Sequence, residues 1–209
     1  MRAIRTFIQA ARDLYEDLMF LCGVSVVWWL ANLVLIPGPP ATAGLYYLAH
    51  RIVREQRVDF SFFRQAFKER FGRSWLVAGI STLVLIILAA NIAFYIQFES
   101  WVRYAAVVCV YFILVWLTLQ IYLFPLMSEM AEPRLGRLLR NGLILVLARP
   151  GYTVMLLIVL AVTTLLCIVL PFLLLLVWPA LVALVSARAT MTLLEDLPQR
   201  RSNPPVQGT

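Results

Sequence analysis

Few residues of this chain are of types that perform catalysis, and those few do not stand in a catalytic spacing. There is one histidine, His50, and there are three cysteines, Cys22, Cys109 and Cys167, each inside an apolar run. No HExxH, Walker or GxSxG pattern is present. Isolated cysteines in apolar runs are typical of small buried hydrophobic side chains. The sequence therefore predicts no catalytic, metal or cofactor site, and we do not expect an enzyme.

The polar residues within the apolar runs are uncharged, because all eleven acidic residues lie outside the middle of those runs. Carboxylates inside a membrane mark proton and ion pathways, so their absence disfavours proton-coupled carriers and ion channels. Uncharged polar side chains most often form hydrogen bonds between helices. The alternative is a pocket for a neutral polar solute. The residues that would form that pocket are Asn32, Pro37, Pro39, Thr42, Tyr46, Asn91, Gln120 and Asn141.

The composition requires a solvent other than water. The chain has 209 residues, of which 62% are hydrophobic and 14% are charged, whereas soluble domains are about 45–50% apolar and about 25% charged. The net charge of +7 comes from arginines between the apolar runs. That pattern is typical of topology signals and lipid contacts, not of a nucleic-acid-binding face. The sequence predicts an integral membrane protein.

Four apolar stretches are long enough to enter a membrane, where a span needs about 20 residues. They are Leu18–Ile36, Trp75–Gln97, Tyr104–Met127 and Tyr152–Ala187. The last stretch is too long for one span, so we expect it to fold back at Pro171, where proline interrupts the helical hydrogen bonds. Four stretches therefore supply five spans of ordinary length.

The basic residues add a sixth, shorter segment. Loops rich in arginine and lysine stay in the cytoplasm. If the chain returns to the cytoplasm before Arg51, 17 of the 18 basic residues lie on the cytoplasmic side of the membrane, and Arg103 is the exception. The return path, Ala41–Val53, spans only about 20 Å as a helix. The stretch "LIPGPPATAGLYY", from Leu35 to Tyr47, is therefore predicted to break near the outer leaflet, below the membrane surface.

The predicted fold is all-α: a polytopic transmembrane helical bundle with six membrane segments, one of them short and broken by proline. Residues 1–17 are predicted to form an amphipathic cytoplasmic segment, residues 18–193 the membrane domain, and residues 194–209 a disordered cytoplasmic tail. Both termini are then cytoplasmic, and the protein is expected in the inner membrane of a bacterium.

Two features of this prediction bear on function. A short helix that begins near Pro39–Ala41 would direct free N–H groups and a positive dipole end into a cavity, unless the turn is packed against its neighbours. Amphipathic cytoplasmic helices in the basic loops would contact anionic lipid headgroups or a partner. The basic residues assigned to those contacts are Arg64, Lys68, Arg70, Arg137 and Arg140.

Several stretches together resemble the YesL family of bacterial membrane proteins, which carries a domain of unknown function. They are Asn32 followed by "IPGPPATAGLYYLAHRIVRE", then "FSFFRQAFKERFGRSW", then "YLFPLMSEM" followed by "LLRNGLILVLARPG". The resemblance covers about residues 15–190, and it departs from the family pattern in having three prolines at the first turn. It implies a link to carbohydrate uptake and degradation systems, but no mechanism.

Two classes of function follow. The first is an accessory component of a carbohydrate transport system, or a small permease for a neutral polar solute. The second is a structural or regulatory scaffold that docks a partner or anionic lipid through its basic helices. The sequence leaves self-association open.

Overall fold

The computed structural model describes residues 2–98, 104–129 and 135–202, and within these ranges all regular structure is helical. The helices, in chain order, are α1 (Arg2–Glu16), α2 (Leu18–Leu33), α3 (Gly38–Val53), α4 (Phe60–Glu69), α5 (Phe71–Tyr95), α6 (Tyr104–Glu129), α7 (Leu135–Ala148), α8 (Pro150–Val169), α9 (Pro171–Leu176) and α10 (Trp178–Ser202).

Three of the described helices, α5, α6 and α8, are long and apolar enough to cross a membrane. A fourth candidate arises if α1 and α2, which meet at an angle of 95°, count as one bent span. Three of the long apolar stretches of the sequence thus form helices that could span a membrane, as expected. The count of six segments stays a prediction, because α2 and α3 have 16 residues each and a full span needs about 20.

Helices α2 and α3 form a hairpin whose tip, Leu33–Ile36, is apolar and 62–79% exposed. Leu35 adopts a left-handed backbone conformation (φ 62°) that turns the chain. Turns that face water are normally polar, so this tip is suited to hydrocarbon. Its backbone is largely satisfied there, because the N–H groups of Leu35 and Ile36 donate to the carbonyls of Asn32 and Val34.

The tip lies beside the beginning of α5. The indole N–H of Trp75 donates to the carbonyl oxygen of Ile36 (3.1 Å), and Trp75 is only the fifth residue of α5. Helix α5 continues for 20 residues to Tyr95, or about 30 Å. The tip therefore lies beside the first turns of α5. Its position near the outer leaflet stays a prediction, because this contact places the tip relative to α5 and not relative to a membrane.

The core is built around α3 and α10, which pack against each other through small residues. Ala41, Ala43 and Ala49 of α3 and Ala183 and Ala187 of α10 are each at most 1% exposed. Small side chains let two helix backbones approach closely, which is how helices associate in lipid. By contrast, only 11% of the residues in the most apolar stretch of α5 are buried. The chain therefore has two central helices and a periphery suited to lipid.

Helix α4 covers one side of α3 at Gly44. A Cβ atom added to Gly44 would lie 2.9 Å from the ring of Phe63 and 3.3 Å from its backbone oxygen. Phe63 and Ala66 are buried, and Arg64 and Lys68 on the same helix are exposed. Glycine at this one position permits the close crossing.

The second apolar hairpin turns where proline predicted it. Helix α8 ends at Val169 and α9 begins at Pro171, so the break is at Leu170. The indole of Trp178 donates to the hydroxyl of Thr164 (2.9 Å), which ties the start of α10 back to α8. In the first hairpin, Trp28 and Thr42 form the equivalent bond (3.0 Å). The two indole rings contact each other, with centroids 6.4 Å apart.

Helix α10 continues to Ser202, so residues 194–202 are helical, where the sequence predicted a disordered tail. A helix that has formed can continue over polar residues, so composition alone did not predict this extension. The end of the membrane domain at residue 193 stays a prediction. The rest of the predicted tail, residues 203–209, lies outside the described residues.

Candidate functional site

The ion pairs of the described residues lie at one end of the bundle. Five parts of the fold meet there: the C-terminal ends of α3 and α6, the N-terminal end of α5, helix α1, and α10 from Arg188 onward. We call this region the polar end. It holds two clefts and three sets of inter-helix contacts made by arginines.

The first contact joins α3 to α6 through Glu129. Its carboxylate accepts a hydrogen bond from Arg54 (2.7 Å) and lies 3.5 Å from Nδ1 of His50. Glu129 is the last residue of α6, where a negative charge is unfavourable beside the helix dipole. The arginine offsets that cost. His50 is 7% exposed, so its surroundings are protein and not the membrane interface.

The second contact is made by Arg70, which precedes α5. Its guanidinium donates to the carbonyl oxygen of Met127 (2.5 Å) and to the hydroxyl of Ser128 (3.4 Å), and it lies 5.1 Å from the ring centroid of Tyr47. A cation is favourable at a helix C-terminus. Burial lowers the pKa of Arg70, although a guanidinium remains charged in proteins. Arg70, assigned from the sequence to lipid or partner contact, thus binds the end of α6.

The third contact joins α1 to α10. The guanidinium of Arg188 donates to both carboxylate oxygens of Asp13, and the two side chains are 22% and 13% exposed. Such a two-pronged pair fixes the relative orientation of the groups as well as their separation. It holds α1 against the middle of α10.

Two clefts open on either side of the loop that follows α3, and Glu55 and Gln56 of this loop line both. The first, of about 590 Å³, lies between this loop, α1 and Arg188. The second, of about 740 Å³, lies between the loop, Glu129 and Met191. Arg51 fixes the loop, because its guanidinium donates to the carbonyl of Arg57. The two clefts therefore lie on either side of a loop that Arg51 holds in place.

The predicted pocket residues at the hairpin are brought together, but their polar groups are used within the protein. The amide of Asn32 donates to the carbonyl of Trp28 (2.8 Å). The hydroxyl of Thr42 accepts from Trp28 and donates to the carbonyl of Gly38 (3.0 Å). A Cβ atom on Gly38 would meet the side-chain oxygen of Asn32 at 2.9 Å. The turn is packed, as one of the two sequence alternatives required.

The start of α3 offers no free donor to a ligand. A helix normally leaves its first four N–H groups without partners. Here Pro39 and Pro40 have no N–H, and the N–H groups of Gly38 and Ala41 donate to carbonyls of the preceding turn. The prolines thus remove the donors that the cavity alternative required, which agrees with the packed turn.

The other predicted pocket residues lie on four different helices. Tyr46 stacks on Phe124 with ring centroids 5.4 Å apart. Asn91 donates to the carbonyl of Ile87 within α5 (2.7 Å). Gln120 is half-buried on α6, and Asn141 is exposed on α7. Their role in a pocket stays a prediction.

The remaining predicted contact residues are exposed on two helices. Arg64 and Lys68 lie on α4, and Arg137 and Arg140 lie on α7. Among the described residues, no group of three or more His, Cys, Asp and Glu side chains is arranged to hold a metal ion.

Sequence reasoning did not single out Asp13, Arg54, Glu129 or Arg188, because each is an ordinary charge at the edge of an apolar run. A signal was present in the acidic residues themselves. A carboxylate placed at the C-terminal end of an apolar helix, such as Glu129, is unfavourable unless a cation covers it.

Comparison with known proteins finds one similarity, which covers about a third of the chain. No curated protein matches the chain, and no solved structure does. The family model described as "Protein of unknown function, DUF624" matches residues 21–92, which run from the start of α2 to near the end of α5. This is the group that the YesL resemblance named. The hairpin, α4 and most of α5 are therefore similar to a domain of unknown function.

Proposed function

We propose that this protein is a non-enzymatic accessory component of a carbohydrate uptake system in the bacterial cytoplasmic membrane. The link to carbohydrate rests on the family resemblance alone. The accessory role rests on the polar end, with its two clefts on either side of the loop that begins at Arg54. In this proposal the polar end and both termini face the cytoplasm, and a partner binds there.

The clefts are suited to a polypeptide partner of mixed charge. The first cleft is lined by carboxylates of Glu16, Asp17 and Glu55 and by guanidinium groups of Arg12 and Arg57. Complementary charges on a partner would give specificity and orientation. The helix ends around the clefts are held by ion pairs, so the surface is ordered before a partner binds.

The hairpin favours an accessory protein over a permease. A permease for a polar solute needs unsatisfied donors or acceptors that can replace the water around the solute. The groups of Asn32 and Thr42 are already bonded within the protein, and the helix start beside them is capped by prolines. Purified protein in liposomes should therefore give no sugar flux above that of empty liposomes. Flux of any sugar that the chain accelerates would contradict the accessory role.

Photo-crosslinking in native membranes tests the docking surface. A photoreactive residue at Gln56, which is exposed and lines both clefts, should give an adduct with a component of a carbohydrate uptake system. The matched control is a photoreactive residue at Ile86, which is exposed on the lipid-suited face of α5. Adducts from Ile86 but not from Gln56 would show that a partner binds the spans and would overturn the proposal.

A second candidate function is a scaffold that docks a partner or anionic lipid through its basic helices. It is favoured by the exposure of Arg64 and Lys68 on α4, whose other face is packed on α3. The double variant Arg64→Gln, Lys68→Gln should then release the partner and leave the fold intact. Arg70 is kept unchanged in this test, since it binds the end of α6.

A further inference from the structure

A groove of about 420 Å³ runs along the outside of the bundle between α5, α6 and α7. Its walls are apolar: Val84 and Leu88 of α5, Phe112 and Trp116 of α6, and Leu143 of α7. Arg140 is the only charged residue among those that line it. The groove therefore combines one cationic end with an otherwise hydrocarbon-like surface.

The direction of the groove follows from the helices that form it. Arg140 belongs to α7, which packs on α6 where Gly142 meets Leu119. From Leu119 the groove follows α6 back to Phe112, seven residues or about 10 Å. That path leads away from the polar end. An occupant would place its polar part at Arg140 and its apolar part toward the middle of the bundle.

Arg140 is available to such an occupant. Its side chain is exposed, and it forms no ion pair or hydrogen bond with any residue in the described ranges. Arg70 and Arg188, by contrast, are bonded to neighbouring helices. A guanidinium binds phosphate through two parallel hydrogen bonds, which favours an anionic phosphate group at this end.

Trp116 separates the groove from a smaller void of about 10 Å³, which has room for about one water molecule. Its indole Nε1 is buried and has no hydrogen-bond acceptor among the described residues, and the same is true of the hydroxyl of Ser81, which lines the same void. A water in the void is the partner suited to these two groups, so the groove itself takes only the apolar face of the Trp116 ring.

We propose that this groove is a binding site for one anionic phospholipid, with its phosphate at Arg140 and one acyl chain along Trp116 toward Phe112. The site belongs to the leaflet that contains the polar end. It does not depend on the partner proposed above, because no residue of the groove lines either cleft. A lipid bound in this groove is distinct from the lipids that only surround the helices.

Native mass spectrometry of the full chain in neutral detergent tests the site. Palmitoyl-oleoyl phosphatidylglycerol and phosphatidylcholine are titrated separately, and bound lipid is counted. The wild-type chain should retain one phosphatidylglycerol in preference to phosphatidylcholine. Arg140→Gln should lower that preference about tenfold, as expected for loss of a charge-assisted bond. The charge-matched control Arg73→Gln, exposed on α5 and outside the groove, should not change it.

A pair of variants tests the acyl part. Val84→Phe places an aromatic ring in the groove and should weaken binding of both lipids. Leu83→Phe introduces the same ring at an exposed neighbour outside the groove and should weaken binding of neither. If Arg140→Gln and Arg73→Gln lowered the preference for phosphatidylglycerol equally, general surface charge would account for it and the site would be overturned. Displacement of the lipid by glycerol 3-phosphate at equal concentration would also overturn it, because that compound has no acyl chain.

Discussion

The indole Nε1 of Trp75 donates to the carbonyl oxygen of Ile36, 3.1 Å away, and joins the first turns of α5 to the tip of the α2–α3 hairpin. Both ends of the hairpin lie at the polar end, because Asp17 before α2 and Glu55 after α3 line the same cleft. The hairpin thus enters and leaves on one side, and Trp75 holds its tip.

Replacement of Trp75 by phenylalanine should destabilise the hairpin. The change leaves the Ile36 carbonyl without a partner in an apolar environment, at a cost of about 1–3 kcal/mol. The unfolding midpoint in mixed detergent micelles measures this loss. The matched control is Trp29→Phe, since the buried indole Nε1 of Trp29 has no partner among the described residues. A larger loss from the control would refute the role of the bond.

The depth of the tip can be measured by cysteine labelling in a background with Cys22, Cys109 and Cys167 replaced by serine. Leu35→Cys at the tip should resist a membrane-impermeant maleimide added outside the cell. Gln97→Cys, exposed beyond the far end of α5, should react. The reason is that the tip is level with the beginning of α5 and Gln97 lies beyond its end. Labelling of both positions at similar rates would place the tip at the outer surface.

Gly44 should not tolerate a side chain. Alanine there would press its Cβ against the ring and backbone of Phe63, and overpacking of this kind costs about 1–3 kcal/mol. Hydrogen exchange should then increase in α4, because α4 is the element that must move. Gly79→Ala, which meets nothing within 4 Å, is the control and should leave exchange unchanged. Unaltered exchange in the Gly44 variant would contradict the close crossing.

The pair of Asp13 and Arg188 should contribute measurably to the docking of α1. Asp13→Asn leaves a mostly buried guanidinium without its anion, which should cost about 2 kcal/mol and raise hydrogen exchange in α1. The double exchange Asp13→Arg, Arg188→Asp should recover part of the loss. Arg12→Gln removes an exposed pair with Glu16 and should have little effect. Equal effects of the two single variants would show that burial of the pair is unimportant.

The sequence predicted the long apolar helices well and the contacts between them poorly. The stretches Trp75–Gln97 and Tyr104–Met127 correspond to α5 and α6 within a few residues, and Pro171 begins α9 as expected. Hydropathy is a sum over neighbouring residues, so it identifies such elements from the sequence alone. The pairings of Arg54 with Glu129 and of Arg188 with Asp13 join residues 75 and 175 positions apart. No local pattern predicts which distant charges meet.

At the hairpin, the sequence predicted that Asn32 and Thr42 lie close together, but not which groups their side chains would bond. Asn32 and Thr42 lie together, as the short turn required. Whether their polar groups would face a solute or one another depended on the position of Trp28 in the preceding helix. The bonds from Asn32 and Trp28 decided it.

The sequence by itself determined the solvent of this protein, because the excess of apolar residues and the scarcity of charges in the long runs leave only a membrane environment. It also predicted breaks between helices beside Pro37 and Pro171, where proline interrupts the helical hydrogen bonds at the edge of an apolar run. Only the tertiary structure decided which helix the tip of the first hairpin contacts and which charges are paired. Those outcomes depend on the packing of α4 on Gly44 and of α5 beside Ile36, contacts between helices that no single stretch of sequence encodes.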